Sequence, residues 1–110
     1  MKRTYRLRLR KDIERVLRRG RSMESPLFRA VAAENRVGHM RLAVIISRAT
    51  AGRAVVRNRI RRRAREWVRT HPDILALPFD VALIFKKQAA VSPRTLVYEE
   101  LSRVFSSLRT

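Results

Sequence analysis

Residues 54–70, AVVRNRIRRRAREWVRT, constrain the fold more than any other part of the chain. At roughly 100° per residue, Val56, Ile60, Ala64, Trp67 and Val68 gather in one sector of a helix and make a single apolar stripe. The rest of the circumference is nearly all arginine. Arg57, Arg61, Arg65 and Arg69 rise in one ridge at i+4 steps, and Asn58 and Arg62 form the next. Arg59 lies further round, Arg63 flanks the apolar stripe from the other side, and Glu66 is the only acid on the solvent side. Such a helix must lay its stripe on another layer and turn its arginines outward. An ordinary solvated face mixes charge signs, because opposite charges at i,i+4 help and like charges cost. An uncompensated ridge suits a surface that a polyanion neutralises, so it reads as a nucleic-acid contact rather than a plain solvated face.

The other segments supply that second layer. Residues 79–85, FDVALIF, form a near-continuous apolar run of strand length and read as a central, buried strand. Residues 27–33, LFRAVAA, follow the break at Ser25-Pro26 and read as a strand, and so does the β-branched stretch MRLAVIIS at 40–47. Residues 34–38 form the turn between them, and 48–53 a loop containing Gly52. Residues 11–19 read as a helix. Ile13, Val16 and Leu17 share its face, Asp12 and Glu14 suit its positive end, and Gly20 is a natural C-cap. His71-Pro72 ends the long helix. Ser92-Pro93 reads as the start of a last one, with Ser92 as N-cap, Pro93 at the first helical position and Leu96, Val97, Leu101, Val104, Phe105 and Leu108 as its stripe. Residues 1–10 alternate basic and other residues and read as a basic arm able to flex, with a strand as the alternative. The expected order is α-β-β-α-β-α in one domain, 1–110, of the α/β (α+β) two-layer sandwich class. The strand–helix–strand section around residues 40–85 suggests a crossover onto a parallel neighbour.

Composition narrows the function. Lys plus Arg is 27 against 9 Asp plus Glu, a net charge of +18, and all the cations except Lys2, Lys11, Lys86 and Lys87 are arginine. Arginine's planar fork suits phosphates and bases, although genome composition or growth temperature can produce the same ratio. The absence of cysteine excludes disulfides, a thiol nucleophile and Cys-based zinc sites. No segment approaches the roughly 18 apolar residues of a membrane span. No apolar run follows the basic N-terminus as a secretory signal requires, so the chain reads as soluble and cytoplasmic. His39 and His71 lie apart and read as structural. Asp12 with Glu14, and Glu99 with Glu100, do not converge as a metal-dependent nuclease would need. Ser47 has no nucleophile's partners, and three glycines make no phosphate loop. Trp67 reads as core rather than as a base-stacking platform. Phe28 and Phe85 read equally as core or as the floor of a cleft. Asn58 could contact a base edge or sugar, hold a neighbouring backbone, or cap its helix.

Residues 54–66, AVVRNRIRRRARE, resemble the arginine-rich RNR signature of the bacterial ribonuclease P protein subunit family. The size, the basicity, the element order and an early helix ending at Gly20 before paired strands fit as well, over roughly residues 6–108. The resemblance implies an α/β sandwich with a left-handed βαβ crossover. It implies an accessory subunit with no catalytic side chain, partnering a catalytic RNA that removes the 5′ leader of precursor tRNA with magnesium ions held mainly by the RNA. Catalytic RNA and precursor tRNA are the implied partners, with no membrane and no obligatory protein partner. Carried over by position, Arg53, Arg57, Asn58, Arg59, Arg61, Arg62 and Arg65 would meet the catalytic RNA. Ile13, Leu17, Phe28, Ile45, Arg48 and Phe85 would line the leader cleft. The family has a metal-binding loop, but no residue here is assigned as a ligand.

Some positions depart from the family. Ile13 and Leu17 stand where aromatics are common, which removes base stacking from the first helix. The loop SRATAG, 47–52, replaces Ser-Lys-Lys followed by Gly, is one residue longer and has Ala49 at a basic position. Ala43 replaces a glycine. A structural ribosomal or general RNA-binding protein is the alternative. A stand-alone nuclease is disfavoured by the missing carboxylate cluster.

Overall fold

The computed structural model describes residues 2–109. Its sheet is organised around β4 (Phe79–Phe85), which pairs antiparallel with β2 (Phe28–Glu34) on one side and parallel with β3 (Arg41–Ile45) on the other. A fourth strand, β1 (Arg21–Glu24), adds antiparallel to the outer side of β2, giving the order β1-β2-β4-β3. The helices are α1 (Arg10–Arg19), α2 (Ala54–Arg69), the short α3 (Pro72–Leu75) and α4 (Arg94–Ser106). α2 links β3 to β4, which are neighbours in the sheet, so β3-α2-β4 is the expected crossover onto a parallel strand. β4 is apolar along most of its length because both of its faces are covered.

α2 and α4 cover one face. Ile60, Ala64, Trp67 and Val68 of α2, with Val97, Leu101, Val104 and Phe105 of α4, pack in one core with Phe28, Ala30, Leu42, Val81, Leu83 and Phe85. Trp67 is core: its ring stacks on Phe105 with centroids 5.4 Å apart. The other face carries α1, which rests on small residues. Val16 packs with Val31, Ala82 and Ala43, which lie side by side across β2, β4 and β3. Gly20 ends α1 as expected, but with an extended backbone (φ −75°) rather than a left-handed one. Its reason is space: a Cβ there would lie 2.5 Å from the Val16 carbonyl oxygen and 2.6 Å from Val31 Cγ1.

A buried charge locks α1 to this face. Asp80 is fully buried and accepts hydrogen bonds from Arg15 Nη2 on α1 (2.6 Å), from Arg41 Nε and Nη2 on β3 (2.8 and 2.7 Å), and from Asn35 Nδ2 (2.8 Å). Burial raises its carboxyl. The hydrogen bonds from Arg41, Asn35 and Arg15, with the charge of Arg41, outweigh burial and hold it below the ordinary carboxylate value.

The structure differs from expectation at several elements. β1, with sequence RSME, is an additional polar strand. It exists by pairing with β2 and, at the sheet edge, needs no apolar alternation. α3 is a further single turn after Pro72. Ser92 is not the cap of α4. Pro93 holds that position, and the Ser92 hydroxyl donates to the Gln88 carbonyl (2.6 Å). The basic arm is laid along the outer edge of β3: Arg6 bridges Leu42 in parallel, Leu7 N–H donates to the Leu42 carbonyl (2.9 Å), and Leu7 is buried. Among the described residues no helix is long and apolar enough to cross a membrane.

Candidate nucleic-acid interface

α2 begins at Arg53 with no side chain capping it and no acid in its first turn, so the positive end of its dipole is left uncompensated. The loop before it is held by its own hydroxyls and by Arg57. Thr50 N–H donates to Ser47 Oγ (3.1 Å), and Arg57 Nη1 reaches back to the carbonyls of Ala51 (2.9 Å) and Gly52 (2.8 Å). On the opposite flank Arg59 Nη2 donates to the Ala90 carbonyl (3.1 Å) and Arg63 Nη1 to that of Ser92 (3.2 Å). These arginines fasten α2 to the segments on either side of it.

Between the flanks, Asn58, Arg61, Arg62 and Arg65 converge with Arg6 around an open hollow of about 360 Å³. Glu66 is the acid on its rim, and it is occupied by Arg69, whose Nε donates 3.1 Å to Oε2. Burial, then the neighbouring charges of Arg6 and Arg61, lower the Arg65 guanidinium from its ordinary value. Four guanidinium groups, those of Arg6, Arg61, Arg62 and Arg65, thus concentrate positive charge in the hollow. Asn58 is exposed inside the helix, well past the cap position at Arg53, which excludes the capping role. Arg6 was missed as a site residue, because only its pairing to β3 brings the arm to α2. Arg53 is exposed where α2 starts, and Arg48 is exposed in the preceding loop.

The α1 face carries the second surface. Arg29, Ile84 and Ile45 are register partners in one row across β2, β4 and β3. Ile45 and Ile84 are half-buried, and they and Ile13 of α1 each pack against the small-residue cluster. Leu17, one turn beyond Ile13, is 39% exposed. Ile13 and Ile45 thus lie against the same cluster. Phe28 and Phe85 are not cleft residues: they are 0% and 2% exposed, with ring centroids 5.4 Å apart, in the core under α2 and α4. Successive strand residues face opposite sides, so the side chains facing α1 are the next ones along, Arg29 and Ile84. Arg29 is exposed and donates to Ser22 Oγ (2.8 Å from Nη2). The signal that finds this pair is the alternation along β2, counted in phase with Ile45.

Among the described residues no three His, Cys, Asp or Glu side chains come together to hold a metal ion. Asp80, the buried acid, is already saturated by Arg15, Arg41 and Asn35. What the surfaces can do is grip a phosphate backbone on α2 and hold an extended strand against an apolar row beside α1.

An α/β scaffold carrying these two surfaces defines a nucleic-acid-binding protein. The family model for ribonuclease P matches residues 1–109, and the chain belongs to the ribonuclease P protein family. The ribonuclease P protein component of Roseiflexus castenholzii is 42% identical over 89 residues, covering 81% of this chain and 72% of that one. That of Thermotoga maritima is 30% identical over 102 residues, 93% of this chain and 80% of its own. The structure of the Staphylococcus aureus RNase P protein superposes with a TM-score of 0.85 at 27% identity, over 93% of both chains.

Proposed function

We propose that this chain is the protein subunit of a ribonuclease P ribonucleoprotein and assists removal of the 5′ leader from precursor tRNA. The observation that carries this is the convergence of Arg6, Asn58, Arg61, Arg62 and Arg65 around one hollow whose rim acid is already paired. On this reading α2 binds the catalytic RNA. Each phosphate neutralised there releases condensed counterions, which supplies affinity and makes it salt-dependent. The leader runs along the α1 face, over Ile13, Leu17, Ile45 and Ile84, with Arg29 and Arg48 at its phosphates. Apolar contact replaces the stacking that aromatics would provide.

Cleavage is assigned to the RNA, with magnesium held by RNA phosphates. The protein's part is to screen repulsion between two polyanions and to anchor the leader, which lowers the magnesium needed and favours precursor over mature tRNA. The work is placed in the cytoplasm, without an obligatory protein partner.

The test is direct binding. The chain should bind the catalytic RNA of its own organism, and Arg61→Gln should weaken that binding several-fold with a smaller salt dependence. The assembled particle should bind precursor tRNA more tightly than mature tRNA, and Ile84→Ser should erode that difference while leaving assembly intact. An Arg61→Gln chain that binds like the wild type, or a particle indifferent to the leader, would contradict the proposal.

A further inference from the structure

α2 and α4 meet in a crease that reaches beyond the RNR positions to Arg63, Arg94 and Tyr98. Arg59, Arg62 and Arg63 of α2 and Arg94 and Tyr98 of α4 line a hollow of about 310 Å³, larger than a single phosphate group requires. The acid on its rim is again Glu66, held by Arg69. Arg59 and Arg63 each spend one terminal nitrogen on a backbone carbonyl, and Arg59 Nε has no hydrogen-bond partner although it is shielded from solvent. Arg94 is exposed, with its guanidinium carbon 5.9 Å from the Tyr98 ring centroid. It is also the first residue of α4, whose start is capped by Pro93 without any side-chain hydrogen bond. The positive end of a 13-residue helix therefore adjoins the same arginines. Burial, then the charges of Arg59, Arg94 and Arg62, lower the Arg63 guanidinium from its ordinary value, with Tyr98 acting the other way. Fastening α2 to the loop accounts for Arg59 and Arg63. It does not account for Arg94, whose charge makes the crease more repulsive unless an anion completes it.

We propose that the α2–α4 crease is a second phosphate-binding site, which takes a phosphodiester group of RNA and extends the RNA footprint from α2 onto α4. Arg62 lines both this crease and the hollow facing Arg6, so the two surfaces are continuous around α2. The inference rests on the RNA-binding reading above.

The experiment measures affinity across a salt series from about 50 to 200 mM, where each phosphate contact contributes roughly 0.7–0.9 to the log–log slope. One arm uses the catalytic RNA alone. The other uses precursor tRNA added to the assembled particle. Arg94→Gln, an exposed position where the fold is not at stake, should lower the slope by about 0.7–0.9 in one arm and weaken binding there several-fold. The arm affected names the RNA that supplies the phosphate. Arg103→Gln makes the same charge change on the same helix, but Arg103 is already held by Glu100 and the Glu24 carbonyl, so it should leave both slopes unchanged. If Arg94→Gln matches the wild type in both arms while Arg61→Gln weakens binding, the crease holds no RNA and the α2 reading stands. If Arg61→Gln is also without effect, the RNA reading fails and this inference falls with it.

Discussion

Arg41 grips Asp80 with two nitrogens, Nε 2.8 Å from Oδ1 and Nη2 2.7 Å from Oδ2. Arg15 and Asn35 complete the shell, so one buried carboxylate ties α1, β3 and the segment after β2 to the start of β4. The folded carboxyl lies below its ordinary value. Its contribution is therefore fully present above the unfolded pKa of about 3.9 and is lost as pH falls through the folded value. Asp80→Asn should cost about 3 kcal/mol at neutral pH, because it leaves the half-buried guanidinia of Arg15 and Arg41 without their buried counter-charge. Urea unfolding as a function of pH checks this: the variant should lose less stability on acidification than the wild type. Equal acid limbs would show that the carboxylate is not a keystone.

Phe28 and Ile84 should separate stability from leader binding. Phe28→Ala opens the core under α4 and should cost about 3–5 kcal/mol. Ile84→Ser, at a half-exposed position on the other face, should cost roughly 1–2 kcal/mol yet reduce the preference for precursor over mature tRNA. Thermal unfolding and tRNA affinity, measured on both variants, distinguish the two effects.

Gly20→Ala should destabilise the fold although the backbone there is one any residue can adopt. The added methyl meets the Val16 carbonyl and Val31 Cγ1, so α1 must move off the sheet, at a cost of about 1–3 kcal/mol. The midpoint of urea unfolding reads this, and an unchanged midpoint would mean α1 sits less tightly than drawn.

Arg57 and Asn58 are neighbours with different work. Arg57→Gln removes the hold on Ala51 and Gly52, so it should lower the melting temperature and weaken RNA binding together. Asn58→Ala should weaken RNA binding while leaving stability equal or a few tenths of a kcal/mol higher, because alanine is the better helix former. Calorimetry of the free chain, set beside RNA affinity, reads both.

Much of this was legible in the sequence because it is periodic. β4 was read at its observed bounds from FDVALIF, and α2 from its stripe and ridge. β1 was not legible: RSME carries no alternation, and only β2 makes it a strand. The site was half legible. Asn58, Arg61, Arg62 and Arg65 follow from helical geometry, whereas Arg6 joins them through a tertiary bridge that no local pattern encodes. Phe28 and Phe85 reach the cleft only by position carried over from the family resemblance; their own sequence context leaves core and cleft equally open. In a strand a shift of one position changes the face, and the phase set by Ile45 selects Arg29 and Ile84 instead. The double use of Arg57 and Arg59, as family signature and as backbone fasteners, depends on where the flanking loops come to rest.

The most direct test of the central claim is cleavage of precursor tRNA at low magnesium by the catalytic RNA alone, by the protein alone, and by both together. The account predicts correct 5′-end cleavage only when both are present, with Arg61→Gln needing more magnesium to reach the same rate. Cleavage by the protein alone, or no stimulation of the RNA by the protein, would contradict it.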